Sequence, residues 1–491
     1  MSIAGERPAG RAKARRGRAR PGALSDDGAP PDAGQDGPAA ALILEGLRRR
    51  GLAARPGAPA GEGPSASQRP AAVRPAALVV PHLAAFIVAS LLVAAALAGG
   101  DLYARWTVGR SIHALAPDEF FLKTLGSIVQ AEAFRQPDLL PLYGSSDLVR
   151  ALPITAGPEV YSFDGPYTAG EFFRTSPTGF QVFTLGRFGA TPLVILQDLA
   201  AIGPELRGKR LAIWLSPTWL LETDVDHPTA YENSFAPLHA GKLAFEGDLS
   251  FSVKQAAARR MLTFPRTLAA NPLLAFGLER LAGDSLLDRA LYYAVLPLGR
   301  LQNLVLELQD RWEALAYIRS RPDVSPSVLR QEARPDWPPV LKRAEQEAKA
   351  RDDNNPFGFD NRIWERRSGS LSARRNSRTD AGFARTVPYA PGAADLDLLL
   401  QGLRDLGARP LIVSMPLKGP YFTYLGVSAG GRQVYYERLR ALIEPYGVPY
   451  LDFADHDEDR YFVVDPSSHP SQKAWAYVDR ALDDFFHDRL R

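Results

Sequence analysis

Apolar residues fall along this chain in three regimes. Residues 1–75 carry neither a helical nor a strand period and are dominated by Ala, Gly, Pro and Arg, as in GRAKARRGRAR. Such a segment buries too little apolar surface to offset the entropy of ordering its backbone, so disorder is expected, with at most a short helix through AALILEGLRRR. The next run, Pro75 to Asp101, holds no charge between Arg74 and Asp101. About 20 apolar residues in a helix cross a hydrocarbon core roughly 30 Å thick, so a transmembrane helix is expected over 76–99. A cleavable signal sequence is the competing reading, but the run follows a long hydrophilic extension and exceeds the usual length of a signal core.

The third regime begins with a mixed helical pattern, PDEFFLKTLGSIVQAEAFR, which predicts a membrane-proximal helical linker over 100–137. Beyond it come short, often branched apolar runs bounded by Gly, Pro or Asp: LLPLYGSSDL, RLAIWLSPTWLL, ARPLIVSMPLKG and VPYLDFA. These read as strands buried on both faces. Apolar residues recur every three to four positions in TPLVILQDLAAIGPEL, AADLDLLLQGLRDLG, VYYERLRALIEPYG and SQKAWAYVDRALDDFFHDRL, which read as helices. Strands alternating with helices predict an α/β fold, a parallel sheet covered on both faces with ligands at the carboxyl ends of its strands. The domain is expected to span 138–491. Residues from about 252 to 392 are helical or rich in Pro, Arg, Asp and Asn, and form an insertion between the two halves of the sheet.

Charge adds orientation. The net charge of +3 on 491 residues implies no polyanion partner, and it is concentrated in the N-terminal arm. That arm has no aromatic residues interleaved for base stacking, so no nucleic-acid partner is expected. Because the Arg-rich flank precedes the apolar run, the N-terminus is expected in the cytoplasm and everything beyond Asp101 outside it, as a single-pass protein of the cell membrane. Chemistry there proceeds where ATP and nicotinamide cofactors are scarce. The absence of cysteine excludes disulfides, thiolate nucleophiles and Cys-ligated zinc. ADHDEDR, Ala454 to Arg460, alternates acids as a metal site does, but such runs are usually solvated loops. No metal and no cofactor is expected.

Two short stretches carry candidate chemistry. In LLPLYGSSDLVR, Ser145 or Ser146 is either a helix N-cap after a buried strand or a nucleophile. A serine hydroxyl needs a positioned base, normally a histidine oriented by a carboxylate. Of seven histidines, His227, His239, His456 and His469 lie away from the membrane run and the chain end. His469 stands in YFVVDPSSHPSQKAW, where a strand-like run is followed by Asp465, a Pro-Ser-Ser turn, the histidine, and a helix begun by Pro470 and Ser471. Taken singly, each stretch reads as a capped turn.

Taken together, a strand and GxS turn near the start and an Asp-His loop near the end of an alternating chain resemble the SGNH (GDSL-like) hydrolase superfamily. More closely, the chain resembles the DltD family of D-alanyl transfer proteins, which carry an N-terminal membrane anchor and an extracytoplasmic SGNH-like domain. LPLYGSSDL, FQVFTLGRFGATPLVILQDLAAI, GKRLAIWLSPTWL, SFAPLHAGKLAF, NNPFGFDNR, the MPLKG block and the C-terminal DPSSHP block carry the resemblance.

The resemblance implies a three-layer, flavodoxin-like SGNH domain in which Ser146 is the nucleophile, His469 the general base and Asp465 its orienting carboxylate, with Ser145 the alternative nucleophile. The amides of Gly189, in GRFGA, and Ser146 would hold the oxyanion. It implies a seryl-ester acyltransferase acting on an extracytoplasmic polymer, with a membrane-bound O-acyltransferase and an acyl carrier system as partners. An SGNH O-acetyltransferase or esterase on an exported polysaccharide, or a catalytically silent scaffold of an acyltransferase complex, are the alternatives. Three departures stand out: three residues rather than two separate Asp465 from His469, TSP at Thr175 to Pro177 replaces a His-Pro pair, and the polar pair after the MP of the fifth strand reads Leu417-Lys418.

Overall fold

The structure is a computed structural model that describes residues 79–491 apart from 119, 150, 154–159, 163–164, 222–226, 322–332, 388–390 and 491. The segment expected to be disordered, 1–75, lies outside the described residues. A single helix, Val79–Leu115, begins the described chain. Among the described residues it is the one helix long and apolar enough to cross a membrane. Leu83, Phe86, Leu91 and Leu92 on it are more than half exposed. Past Asp101 the same helix enters the protein core, where Ala104, Val108 and Ile112 are fully buried. Much of the expected linker is therefore a continuation of the apolar helix.

The helix expected through DEFFLKTLGSIVQAEAFR is instead two, Phe121–Leu125 and Ile128–Arg135. Asp310 explains the break: one carboxylate oxygen accepts the backbone N–H groups of Ser127 and Ile128, each at 2.9 Å, and so starts a new helix at that point.

Among the described residues the strands are β1 (Leu139–Gly144), β2 (Ala151–Pro153), β3 (Val160–Ser162), β4 (Gln181–Gly186), β5 (Arg210–Leu215), β6 (Arg409–Ser414) and β7 (Tyr450–Leu451). β2 and β3 pair antiparallel on their own, while the other five form a parallel sheet in the order β4-β1-β5-β6-β7. Numbered along the chain within this sheet, the order is the flavodoxin-like 2-1-3-4-5. The strand direction of travel through the sheet reverses beside β1, and the crevice at such a switch point, at the carboxyl ends of the strands, is where this architecture places ligands. The α/β class expected from the alternating pattern is the one observed. Two details differ. β4, within FQVFTLG, was not among the runs read as strands, and VPYLDFA contributes only two residues at the sheet edge, Tyr450 and Leu451 paired to Ile412 and Val413.

Because successive strand residues face opposite sides, each strand feeds two cores. Leu139, Tyr143, Ile213, Leu215 and Ile412 pack with Leu193, Leu196, Leu396 and Leu399 on one face. Leu140, Leu142, Ala212, Trp214, Leu411 and Val413 pack with Trp475, Val478 and Leu482 on the other. Two cores divided by one sheet make three layers. The helix Pro192–Ile202 is buried along its whole length, which is why its sequence is apolar all round rather than on one face. Between β5 and β6 the described residues form helices and turns but no strand, among them Phe251–Met261, Pro272–Ala282 and the 35-residue Leu286–Ser320.

Candidate active site

β1 ends at Gly144, and the chain turns through a short 3-10 segment, Ser146–Leu148. Leu148 folds back over the sheet end: a Cβ on Gly186, the last residue of β4, would stand 2.6 Å from the Leu148 Cβ, so only glycine admits the turn. Ser145 occupies the cap position without a side-chain cap bond, which removes the capping reading. The two serine hydroxyls have separate partners. Ser145 Oγ accepts a hydrogen bond from the Trp219 indole at 3.2 Å. Ser146 Oγ lies 3.0 Å from His469 Nε2.

The run before Asp465, read as strand-like, does not join the sheet. It forms only a bridge between Val463 and Pro470, which brings the ends of the Asp465 loop together. The Val464 N–H donates to the His469 carbonyl at 2.9 Å, and Ser468 takes a left-handed conformation, φ +64°. That turn absorbs the additional residue between acid and histidine. One Asp465 oxygen accepts the backbone N–H of Ser467 at 2.9 Å and of His469 at 3.1 Å. The other lies 2.7 Å from His469 Nδ1. Ser471 then caps the helix Gln472–Phe486 by accepting from Ala474 N at 3.2 Å, and the same hydroxyl donates to the Tyr461 carbonyl at 2.6 Å. The histidine is thus held between a closed loop and a capped helix.

Lys418, at the position where the family resemblance implies a polar pair, is fully buried. Its ammonium donates to the carbonyls of Gly358 and Arg460 at 2.7 Å each, and to that of Val463. Three donors meet three acceptors, and two of those acceptors lie on the segment leading into Asp465. Asp360, from the same NNPFGFDN stretch as Gly358, donates its N–H to the Val464 carbonyl at 2.9 Å.

Charge at the site is concentrated on His469. Burial acts to lower its pKa, but the Asp465 carboxylate, through its charge and hydrogen bond, and the charge of Asp147 together raise it from 6.5 to about 9. For Asp465 burial opposes ionisation, yet the imidazolium beside it and the bonds from His469 and Ser467 hold its carboxyl below the usual range. Asp147, next to Ser146 in sequence, is pushed up to about 6 by burial, against the pull of His469. Sequence reasoning did not assign Asp147, Trp219 or Lys418 a place at the site; the Asp of GSSD and the Trp of SPTW were visible, but only the fold brings them there.

Ser145, Ser146, Phe188, Gly189, Ser216, Thr218, Trp219, Thr229, Ala230, Asn233, Ser467 and His469 line one cavity of about 330 Å³. Gly189 has φ +77°, and a Cβ there would stand 2.5 Å from the Ala230 carbonyl. Its loop is held by Arg187, which pairs with the buried Asp198 at 3.1 Å, and by Ser234, which donates to the Gly189 carbonyl at 3.1 Å. Of the other candidate histidines, His239 is buried 2.6 Å from Asp198, and His456 pairs with Asp459 at 3.3 Å while stacking on Phe462. The side chain of His227 lies outside the described residues. Two buried or half-buried acids of ADHDEDR are engaged by cations: Arg432 Nε donates to Asp457 at 2.8 Å, and Lys473 pairs with Asp459 at 2.7 Å.

Comparison with known proteins bears on the family of the chain. The DltD protein family matches it over residues 122–487. Protein DltD of Bacillus subtilis (strain 168) is 26% identical over 413 residues, covering 82% of this chain and 96% of that protein. Protein DltD of Staphylococcus aureus (strain NCTC 8325 / PS 47) is 23% identical over 361 residues, covering 73% of this chain and 83% of that protein. With three quarters of its length so matched, the chain belongs to the DltD protein family.

Proposed function

We propose that this member of the D-alanylation pathway is a membrane-anchored serine acyltransferase that takes a D-alanyl or similar acyl group onto Ser146 and passes it to a hydroxyl of an extracytoplasmic polymer or glycolipid. The observation that carries this reading is the alignment of Asp465, His469 and Ser146, at 2.7 and 3.0 Å, in a cavity at the switch point of the sheet.

In this reading, neutral His469 Nε2 removes the Ser146 proton as the oxygen attacks the acyl carbonyl, and the amides of Gly189 and Ser146 receive the developing oxyanion. The imidazolium, steadied by Asp465, returns the proton to the leaving group, and the acyl group remains as a seryl ester. An acceptor hydroxyl then gives its proton to His469 and attacks that ester, and the imidazolium passes the proton to the departing Ser146 oxygen, which restores both groups. A membrane-bound O-acyltransferase and its acyl carrier system would supply the acyl group, and the Arg-rich segment before the anchor supports a cytoplasmic N-terminus.

The test is to follow labelled D-alanine in membranes of cells with and without the protein, complemented by wild type or Ser146→Ala. Loss of D-alanyl ester on deletion, restored by wild type alone, is the expected outcome. Ester that persists on deletion, or that Ser146→Ala restores in full, would falsify it.

A further inference from the structure

The helix Leu286–Ser320 has two opposed faces. Tyr292, Val295, Gly299, Asn303 and Asp310 are buried against the protein, and Tyr292 donates to the Ala244 carbonyl at 2.6 Å. The opposite face carries Leu286, Tyr293, Leu298, Leu301, Leu304 and Val305, each between 44 and 84% exposed. With Ala290 and Pro297 between them and Leu308 after them they recur every three to four residues, a stripe about 33 Å long with no charge on it. Soluble surfaces rarely leave so long an apolar stripe uncovered.

Its position relative to the anchor says what covers it. Asp101 is the first charge after Arg74, so it marks the outer end of the apolar span. Arg311, near the end of the stripe, pairs with Asp101 at 2.5 Å. The next residue, Trp312, is 69% exposed, and Tyr103 and Trp106 on the anchor are also exposed, with Arg110 over the Trp106 ring. Exposed Trp and Tyr beside basic residues at the end of an apolar span are the composition of a membrane interface. Arg289, Arg300 and Arg311 recur every eleven residues, which is three helical turns, so they follow one edge of the stripe, where Arg289 lies over the Phe251 ring, Arg300 donates to the Phe245 carbonyl and Arg311 pairs with Asp101 and Glu307; they tie that edge to the protein and leave the apolar stripe itself outward.

From these placements we infer that Leu286–Ser320 is a second membrane contact, lying in the outer interface of the bilayer with its Leu286–Leu308 stripe in the headgroup and acyl boundary. This rests on the reading of Val79–Leu115 as the anchor. The helix then braces the domain against the lipid surface and sets which way the Ser146 cavity faces.

The chain contains no cysteine, so single cysteines can be placed and labelled in the full-length protein. An environment-sensitive fluorophore is attached at Leu301→Cys, at Leu298→Cys, at Leu92→Cys within the anchor, and at the exposed Arg375→Cys. Each purified protein is reconstituted into vesicles containing anionic lipid. Labels at Leu298, Leu301 and Leu92 should emit to the blue, lose emission to nitroxide-bearing lipid and resist aqueous iodide, while Arg375 behaves oppositely. Iodide quenching at Leu298 and Leu301 with lipid quenching at Leu92 overturns the second contact alone. Protection of the label at Leu301 from both quenchers, with disulfide cross-linking between copies of the unlabelled Leu301→Cys protein, assigns the stripe to self-association and also overturns it. If Leu92 escapes lipid quenching, the anchor reading fails, and the second contact with it.

Discussion

Ser146 Oγ and His469 Nε2 lie 3.0 Å apart across 323 residues of sequence, whereas Ser145, one residue away, is bonded to Trp219. The two serines are therefore chemically unequal. Ser146→Ala is expected to abolish covalent labelling by a fluorophosphonate probe. Ser145→Ala should keep it, with a stability loss of about 1 kcal/mol from the lost Trp219 bond. Equal labelling of wild type and Ser146→Ala would remove Ser146 from the role proposed for it.

The basicity of His469 gives a pH signature. Only the neutral imidazole accepts the Ser146 proton, and its pKa is raised to about 9. Labelling should therefore still be rising well above neutral pH. Asp147→Asn removes one of the two carboxylate charges that raise it and should move the midpoint to lower pH; a midpoint that stays where it was counts against Asp147 acting on His469. The sign for stability follows the same shift. The folded value exceeds the unfolded 6.5, so the contribution is complete below about 6.5 and is lost as pH rises through about 9. Urea unfolding of His469→Gln should show a flatter decline over that window than wild type.

Lys418 should matter for both stability and chemistry. Lys418→Met leaves the Gly358, Arg460 and Val463 carbonyls without their donor and should cost about 3 kcal/mol. Because two of those carbonyls precede Asp465, Ser146 labelling should slow as well. An unchanged melting temperature would show that the segment is held by its other contacts.

Gly189 admits no side chain. Gly189→Ala combines a left-handed backbone with a Cβ 2.5 Å from the Ala230 carbonyl, and the strain should cost about 1–3 kcal/mol. If its amide holds the oxyanion, the labelling rate should fall on the order of a hundredfold. A variant that is destabilised yet labels at the wild-type rate separates the two effects and denies the amide that role.

Much of the sheet was legible because its strands are buried on both faces: LLPLYG, RLAIWL and RPLIVS stand out as uninterrupted apolar runs. β4 was harder, since Gln181 and Thr184 interrupt its apolar residues. At the site, the Asp465–His469 loop could be read as an acid and base held close together, but not how a left-handed Ser468 would close it. The choice between Ser145 and Ser146 was not available locally, because it depends on Trp219 and His469, which arrive from distant segments. Lys418 was equally opaque: a lysine after a strand suggests a surface group, and only packing reveals that three carbonyls await it.

The helix Val79–Leu115 passes from the exposed apolar Leu83, Phe86, Leu91 and Leu92 to the buried Ala104, Val108 and Ile112 without a break. It works as a mast rather than a tether. With this helix as the proposed anchor, the height of the Ser146 cavity and its compass bearing around the membrane normal are set by helical phase, so deleting one residue between Leu97 and Asp101 would swing the whole domain by about 100° and lower it by about 1.5 Å. On the acyltransferase reading proposed above, a domain mounted this way cannot search for its donor by wagging; the donor must present its acyl group at one fixed azimuth.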